Sequence, residues 1–145
     1  MPRQEIIRKA RQDKRTGKSA STQAGEFVKD EIDKIRKGKH GARSTRQAIA
    51  IGLSEARRAG VDLPPPRKGR TKKATRRSAK YAYEVGQGKR TPKRRPRVSR
   101  AVEGVLKKEP RSTASRSALS KQAKGAKVRS AAAKKAARTR ARRRS

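Results

Sequence analysis

Thr91-Pro92-Lys93-Arg94 places a hydroxyl and a proline directly before two cations, and Arg90, Arg95, Pro96 and Arg97 extend the run. Proline favours a turn, and the paired cations would then lie along phosphates or reach into a narrow, strongly negative minor groove. Gly38-Lys39-His40-Gly41-Ala42-Arg43 is the second candidate. There, backbone amides and basic side chains converge just before a helix start, an arrangement suited to a phosphate, although a plain glycine hairpin between two helices accounts for it equally well. Gly17-Lys18-Ser19 ends like a nucleotide-binding loop, but Gln12 stands where the required glycine would be and no strand precedes it. Glu26, Asp30, Glu31 and Asp33 cluster on one helical segment among basic neighbours; with no cleft implied, they read as a solvated face rather than an acid and base pair. His40 is the single histidine and there is no cysteine, so neither a metal site nor a cofactor is expected. Tyr81 and Tyr83 are too few to make a stacking platform for bases, and Tyr81 is expected to pack on its own helix.

The chemistry that remains is charge. The 145 residues hold 46 Lys plus Arg against 11 Asp plus Glu, a formal net charge of +35. Self-repulsion on that scale is relieved by a polyanion, and nucleic acid is the abundant one. The residues expected to contact phosphate fall into three groups. Lys39, Arg43, Arg46, Arg57 and Arg58 surround the central helix; Arg90, Lys93, Arg94, Arg95 and Arg97 form a loop; Lys134, Lys135, Arg138, Arg140, Arg142, Arg143 and Arg144 end the chain. The basic segments offer mainly alanine on their apolar side, so a membrane partner is not expected. No apolar stretch of signal-peptide length follows the first residues, which points to the cytoplasm, at the nucleoid.

Hydrophobic residues, alanine included, make up 30% of the chain and aromatics 2%, too little for a large core. Charge divides the chain near Leu63: residues 1–62 carry 16 basic and 8 acidic side chains, residues 63–145 carry 30 and 3. In the first part, a basic segment (1–21) holds a short helix from Pro2 to Lys14, with Pro2 in the first turn, followed by a polar connector from Thr16 to Ser21. A module at 22–63 then pairs two helices. The first runs from Thr22 to about Lys37, with Phe27, Val28, Ile32 and Ile35 in a stripe and Gly38 as its stop. The second starts at the capping box Ser44-Thr45-Arg46-Gln47, runs to about Ala59 and stops at Gly60. Its face of Ala48, Ile49, Gly52, Leu53 and Ala56 is small enough to admit a close neighbour.

Pro64-Pro65-Pro66 marks the expected domain boundary. Beyond it the sequence suggests a Lys/Arg/Ala-rich arm (64–145), largely disordered, with short helices near 75–85, 99–109 and 113–138 that form most readily once their charge is neutralised. The fold class is therefore mainly α, a small helical pair carrying a disordered basic arm. Arg43-Ser44-Thr45 recurs as Arg111-Ser112-Thr113, without a continuing repeat.

The stretch Gly38 to Gly60 resembles a little-characterised bacterial family of small Lys/Arg-rich proteins that share the motif R-S-x-x-Q-A-I-A-I-G-L-S-x-A-R, matched here from Arg43 to Arg57. The segment from Val98 to Gly125 is similar to the C-terminal part of such proteins. That resemblance implies a recurrent module and no particular activity. The Ala/Lys/Arg tail, together with Thr91-Pro92-Lys93-Arg94, resembles linker-histone tails and bacterial histone-like proteins.

These readings converge on a non-enzymatic, charge-driven DNA-binding protein of low sequence specificity, nucleoid-associated or architectural. One alternative is an RNA or ribosome-associated protein. Another is a protein-interaction module on residues 22–63, self-associating or docking a partner through Ile49, Leu53 and Ala56.

Overall fold

The computed structural model describes residues 3–144. Among them are six α-helices, one 3-10 turn and no strand: α1 (Gln4–Arg15), α2 (Ala20–Arg36), α3 (Thr45–Arg58), α4 (Lys73–Gly86), α5 (Pro96–Lys108), the turn Ser112–Ala114, and α6 (Arg116–Arg144). The expected place of Pro2 in the first turn lies outside the described residues.

Local signals set most boundaries. Ser19 caps α2 by accepting from the Thr22 amide at 3.3 Å, so this helix starts two residues before the expected Thr22. In α3 the capping box forms, with Ser44 Oγ accepting from the Gln47 amide at 3.1 Å. Gln47 Oε1 reaches back one residue further than the motif predicts and accepts from the Arg43 amide at 2.6 Å. The first four helices end alike, on a glycine in the left-handed region followed by a residue whose amide reaches back five positions. Gly38, at φ 77°, is one example: its amide donates to Ile35 O and that of Lys39 to Lys34 O. This geometry also explains Gly17-Lys18-Ser19, which closes α1 and caps α2. For α4 the stop is Gly88; Gly86 is the last residue of the helix, and an added Cβ there would collide with the Arg57 carbonyl oxygen.

Two small cores result. Phe27 and Ala24 of α2 meet Ala10 of α1, Ala56 of α3 and Val61, with Ile6, Ile7, Leu53 and Leu63 around them. Ile32 and Ile35 meet Ala42, Ala48 and Ala114, with Val28 and Leu119 beside them. Between the cores α2 and α3 approach backbone to backbone at Gly52, where a Cβ would stand 2.6 Å from Val28 Cα. The apolar face of α3 is partly used within the chain: Ala56 is fully buried and Leu53 packs on the Phe27 core, while Ile49 and Leu53 keep part of their surface.

The expected disordered arm is corrected. Residues 64–145 contribute three helices, of which α4 packs on α3 through Ala79 and Ala82. The chain then returns to the first module. Residues 106–115 dock on the loop between α2 and α3: the Gly41 amide donates to Leu106 O at 2.8 Å, the Ala42 amide to Pro110 O at 3.0 Å, and Arg36 Nε to Ala114 O at 2.8 Å. Residues 61–67 run without a turn, and elements on either side of the proline run meet: α3 packs on α4, and the α2–α3 loop receives residues 106–115. Helix α5 begins at Pro96, a tolerated first-turn position, three residues before the expected Ser99. Helix α6 runs to Arg144, past the expected 138. Among the described residues no helix is long and apolar enough to cross a membrane.

Candidate nucleic-acid interface

The acidic side chains are mostly turned inward or paired. Asp30 and Glu31 on α2 are buried, 4% and 1% exposed, and with Glu55 of α3 they converge on Lys34, whose Nζ lies 3.0 Å from Asp30 Oδ2 and 3.8 Å from a carboxylate oxygen of each of the other two. His40 Nε2 lies 2.8 Å from Glu31 Oε1, and its Nδ1 lies 2.8 Å from Gly41 O. Glu31 Oε1 and Asp30 Oδ2 make these contacts without an aligned hydrogen bond, and the Lys34 ammonium is the charge that faces Asp30 Oδ2. Burial pushes the Glu31 carboxyl above its usual range; His40 and Lys34 pull it down, while Glu55 and Asp30 push it further up. Of the solvated acidic face expected on α2, Asp30 and Glu31 are instead in the charged interior of the α2–α3 joint, while Glu26 and Asp33 stay half-buried. Elsewhere Asp13, also buried, pairs with Lys18 at 2.8 Å and raises the lysine's pKa through that hydrogen bond, and Glu26 pairs with Lys9 at 3.0 Å.

Helix α6 is the opposite case. Its 29 residues carry twelve Lys and Arg and no acid. Its first turns rest on α3 and the 3-10 turn, with Leu119 in the second core, and residues 126–144 are exposed throughout. At 1.5 Å per residue that exposed part is about 28 Å long. Over this length it presents nine cations, among them the expected Lys134, Lys135, Arg138, Arg140, Arg142, Arg143 and Arg144. At its base, Arg46 of α3 and Lys121 of α6 line one shallow groove, and Arg43 is exposed close by in sequence. The structure therefore sets Arg46 against Lys121, seventy-five residues away in sequence, while the terminal group begins thirteen residues, about 20 Å, further along α6.

The other expected contacts lie apart from α6. Arg90 is committed, 2.9 Å from Glu84 and 5.4 Å above the Tyr81 ring. Tyr81 does not simply pack on α4: its hydroxyl accepts from the Lys93 amide at 3.2 Å and tethers the loop. Residues 91–95 run without a turn, so the bend expected at Pro92 is not formed, while Lys93, Arg94, Arg95 and Arg97 are exposed. Lys39 and Arg58 face a separate groove beside α5.

Arg57 does not belong to the surface at all. It is 8% exposed, its Nε donates to Leu63 O at 3.0 Å, and its Nη2 reaches Pro64 O at 3.4 Å. It holds the segment after α3, and burial lowers its pKa. The phosphate-cradle reading of residues 38–43 falls for a similar reason, since the amides of Lys39, Gly41, Ala42 and Arg43 already have acceptors within the protein.

Residues 11–68 match the model of a family of unknown function, DUF6496. That span runs from within α1 to just past the proline run and leaves out the docked segment and α6. No curated protein and no solved structure matches the chain.

Proposed function

We propose that this protein binds nucleic acid without catalysis, through charge and with little sequence preference, and that duplex DNA is its principal partner. The observation that carries the reading is the segregation of charge: carboxylates are drawn into the α2–α3 joint while α6 projects nine cations along about 28 Å with no acid on the helix. A duplex offers one phosphate per roughly 1.7 Å, so phosphates outnumber these cations along the contact, and each lysine or arginine that meets one releases condensed counterions. Contacts of this kind fix position and carry no base information. A nucleoid-associated or architectural role is the corresponding place for such a protein in a bacterial cell.

Binding of the purified full chain to a mixed-sequence duplex, followed across salt concentration, tests the proposal. With about 8 phosphates contacted, log affinity should fall with log salt at a slope near −7. An affinity nearly independent of salt overturns it. Competition by structured RNA at equal phosphate concentration decides the polymer: displacement of the duplex would replace the DNA reading by the RNA or ribosome-associated one.

A further inference from the structure

Helix α5 is amphipathic, yet its apolar side has no cover. Val98, Val102 and Val105 are 54%, 53% and 59% exposed, the large hydrophobic residues most open to solvent among the described residues apart from Val128 on α6. Among the described residues no other helix packs along α5; its C-terminal end is fixed through Leu106 O, which accepts from the Gly41 amide. A 13-residue helix gains little from its own backbone and depends on packing of its apolar face. Most of that face is turned toward a groove of about 530 Å³, with Val98, Val102 and Leu106 on one wall, where Glu103 is paired with Lys107 at 3.1 Å, and Lys39, His40 and Arg58 on the other.

We propose that this groove is a docking site for an acidic amphipathic helical segment of another protein. Val98, Val102 and Leu106 are spaced four apart, the spacing that receives apolar anchors of a helix laid along a groove. Lys39 and Arg58 lie where the flanking carboxylates of such a helix would fall, and charge of that sign on the partner sets both orientation and rate of association. A second copy of this chain is a poor occupant, because α5 itself carries Arg97, Arg100, Lys107 and Lys108 against Glu103 alone. Nucleic acid is a poor occupant of this groove as well. The wall formed by Val98, Val102 and Leu106 offers no donor to a phosphate, so a duplex would gain nothing from covering it.

The test uses the full chain and two labelled peptides of about 16 residues, equal in charge. One carries leucines at i, i+4, i+7 and i+11 flanked by glutamates; the other has glutamine in place of every leucine. At physiological salt the leucine peptide should bind about ten-fold more tightly. V98S together with V102S should abolish that preference, and V128S should leave it intact. Both valines are more than half exposed, so the doubly substituted chain should keep its melting temperature and its duplex DNA affinity, which separates this site from the α6 surface. Equal binding of the two peptides overturns the proposal, as does a preference that survives V98S/V102S. A protein dimer in sedimentation that V98S/V102S dissolves would assign the face to a second copy, and a loss of DNA affinity in that variant would assign it to nucleic acid; either result also overturns it.

Discussion

Thr45 and Thr113 clasp each other's strands: Thr45 Oγ1 donates to Thr113 O at 2.6 Å, and Thr113 Oγ1 donates to Ala42 O at 3.1 Å. Each threonine follows a serine within an Arg-Ser-Thr triplet, so the two copies of that triplet, unremarkable in sequence, meet in space as one joint. Ser44 caps α3, and Ser115 accepts from the Ala118 amide at the start of α6. The joint thereby fixes where the basic helix leaves the body of the protein. Replacing either threonine by valine should cost about 1 kcal/mol, the usual worth of one hydrogen bond. The two losses should be non-additive in a double-mutant cycle, because both bonds hold the same docked segment. Chemical denaturation of the four proteins measures this, and strict additivity would mean the bonds act independently.

Gly41 permits that docking. A Cβ there would run into the Glu109 carbonyl oxygen, a backbone atom that cannot step aside. Gly41→Ala should release residues 106–115 while leaving the Phe27 core in place. Hydrogen exchange should then show faster exchange of the Ala42 amide, which donates to Pro110 O, with the α1–α2 amides unchanged.

Glu31 makes stability depend on pH. Its folded pKa lies above the usual glutamate value of 4.5, chiefly through burial. Below that value both folded and unfolded chains hold the proton, and the contribution is fully present. As pH rises past it the unfolded chain releases its proton first, so the folded state binds more protons and stability falls until the folded carboxyl has also ionised. Glu31→Gln should remove this falling component, giving a flatter curve of unfolding free energy against pH above 4.5. The groups facing Glu31, namely Lys34, His40, Asp30 and Glu55, remain in the variant, so a curve unchanged in slope would show that Glu31 is not the source of the dependence.

Arg57 and the cations of α6 should separate cleanly in mutagenesis. Arg57→Gln leaves Leu63 O and Pro64 O without their donors and should cost about 1–3 kcal/mol of stability, with little effect on the salt dependence of DNA binding. Replacing Lys134, Lys135 and Arg138 by glutamine should do the reverse: these side chains are exposed, so the melting temperature should hold while the slope of log affinity against log salt drops by about 3. A loss of salt dependence in Arg57→Gln would return that residue to the interface.

What the sequence discloses and what it hides follow from range. Capping is local, and Ser44-Thr45-Arg46-Gln47, Gly38 and Gly60 reveal α3 and the end of α2 to within a residue. The apolar stripe of Phe27, Ile32 and Ile35 likewise marks the buried side of α2. The buried charges are hidden because Asp30 and Lys34 stand four apart whether exposed or enclosed, and it is the approach of Glu55 and His40 that encloses them. The docking of residues 106–115 is hidden for a related reason: it rests on backbone carbonyls and on Ala114, a single small residue in a tail whose composition suggests disorder. Charge counting predicts the cationic surface in bulk but cannot tell Arg57, enclosed where the chain leaves α3, from Arg58, its exposed neighbour.

Salt should act on α6 in two opposite senses. Lys134 and Arg138, Arg138 and Arg142, and Arg140 and Arg144 stand four apart on the exposed helix, and each like-charge pair opposes it by roughly 0.2–0.5 kcal/mol. With no core contact beyond Leu119, the distal turns depend on screening of that repulsion. Far-ultraviolet circular dichroism of the full chain should therefore show helicity increasing with salt, or with added duplex at low salt, and the increment should vanish when residues 126–145 are removed. Affinity for the duplex should decline over the same range of salt, since counterion release weakens as salt rises. Helicity that is flat across salt would mean the distal helix is held by something other than charge neutralisation, and the pairs named above would carry no repulsive cost.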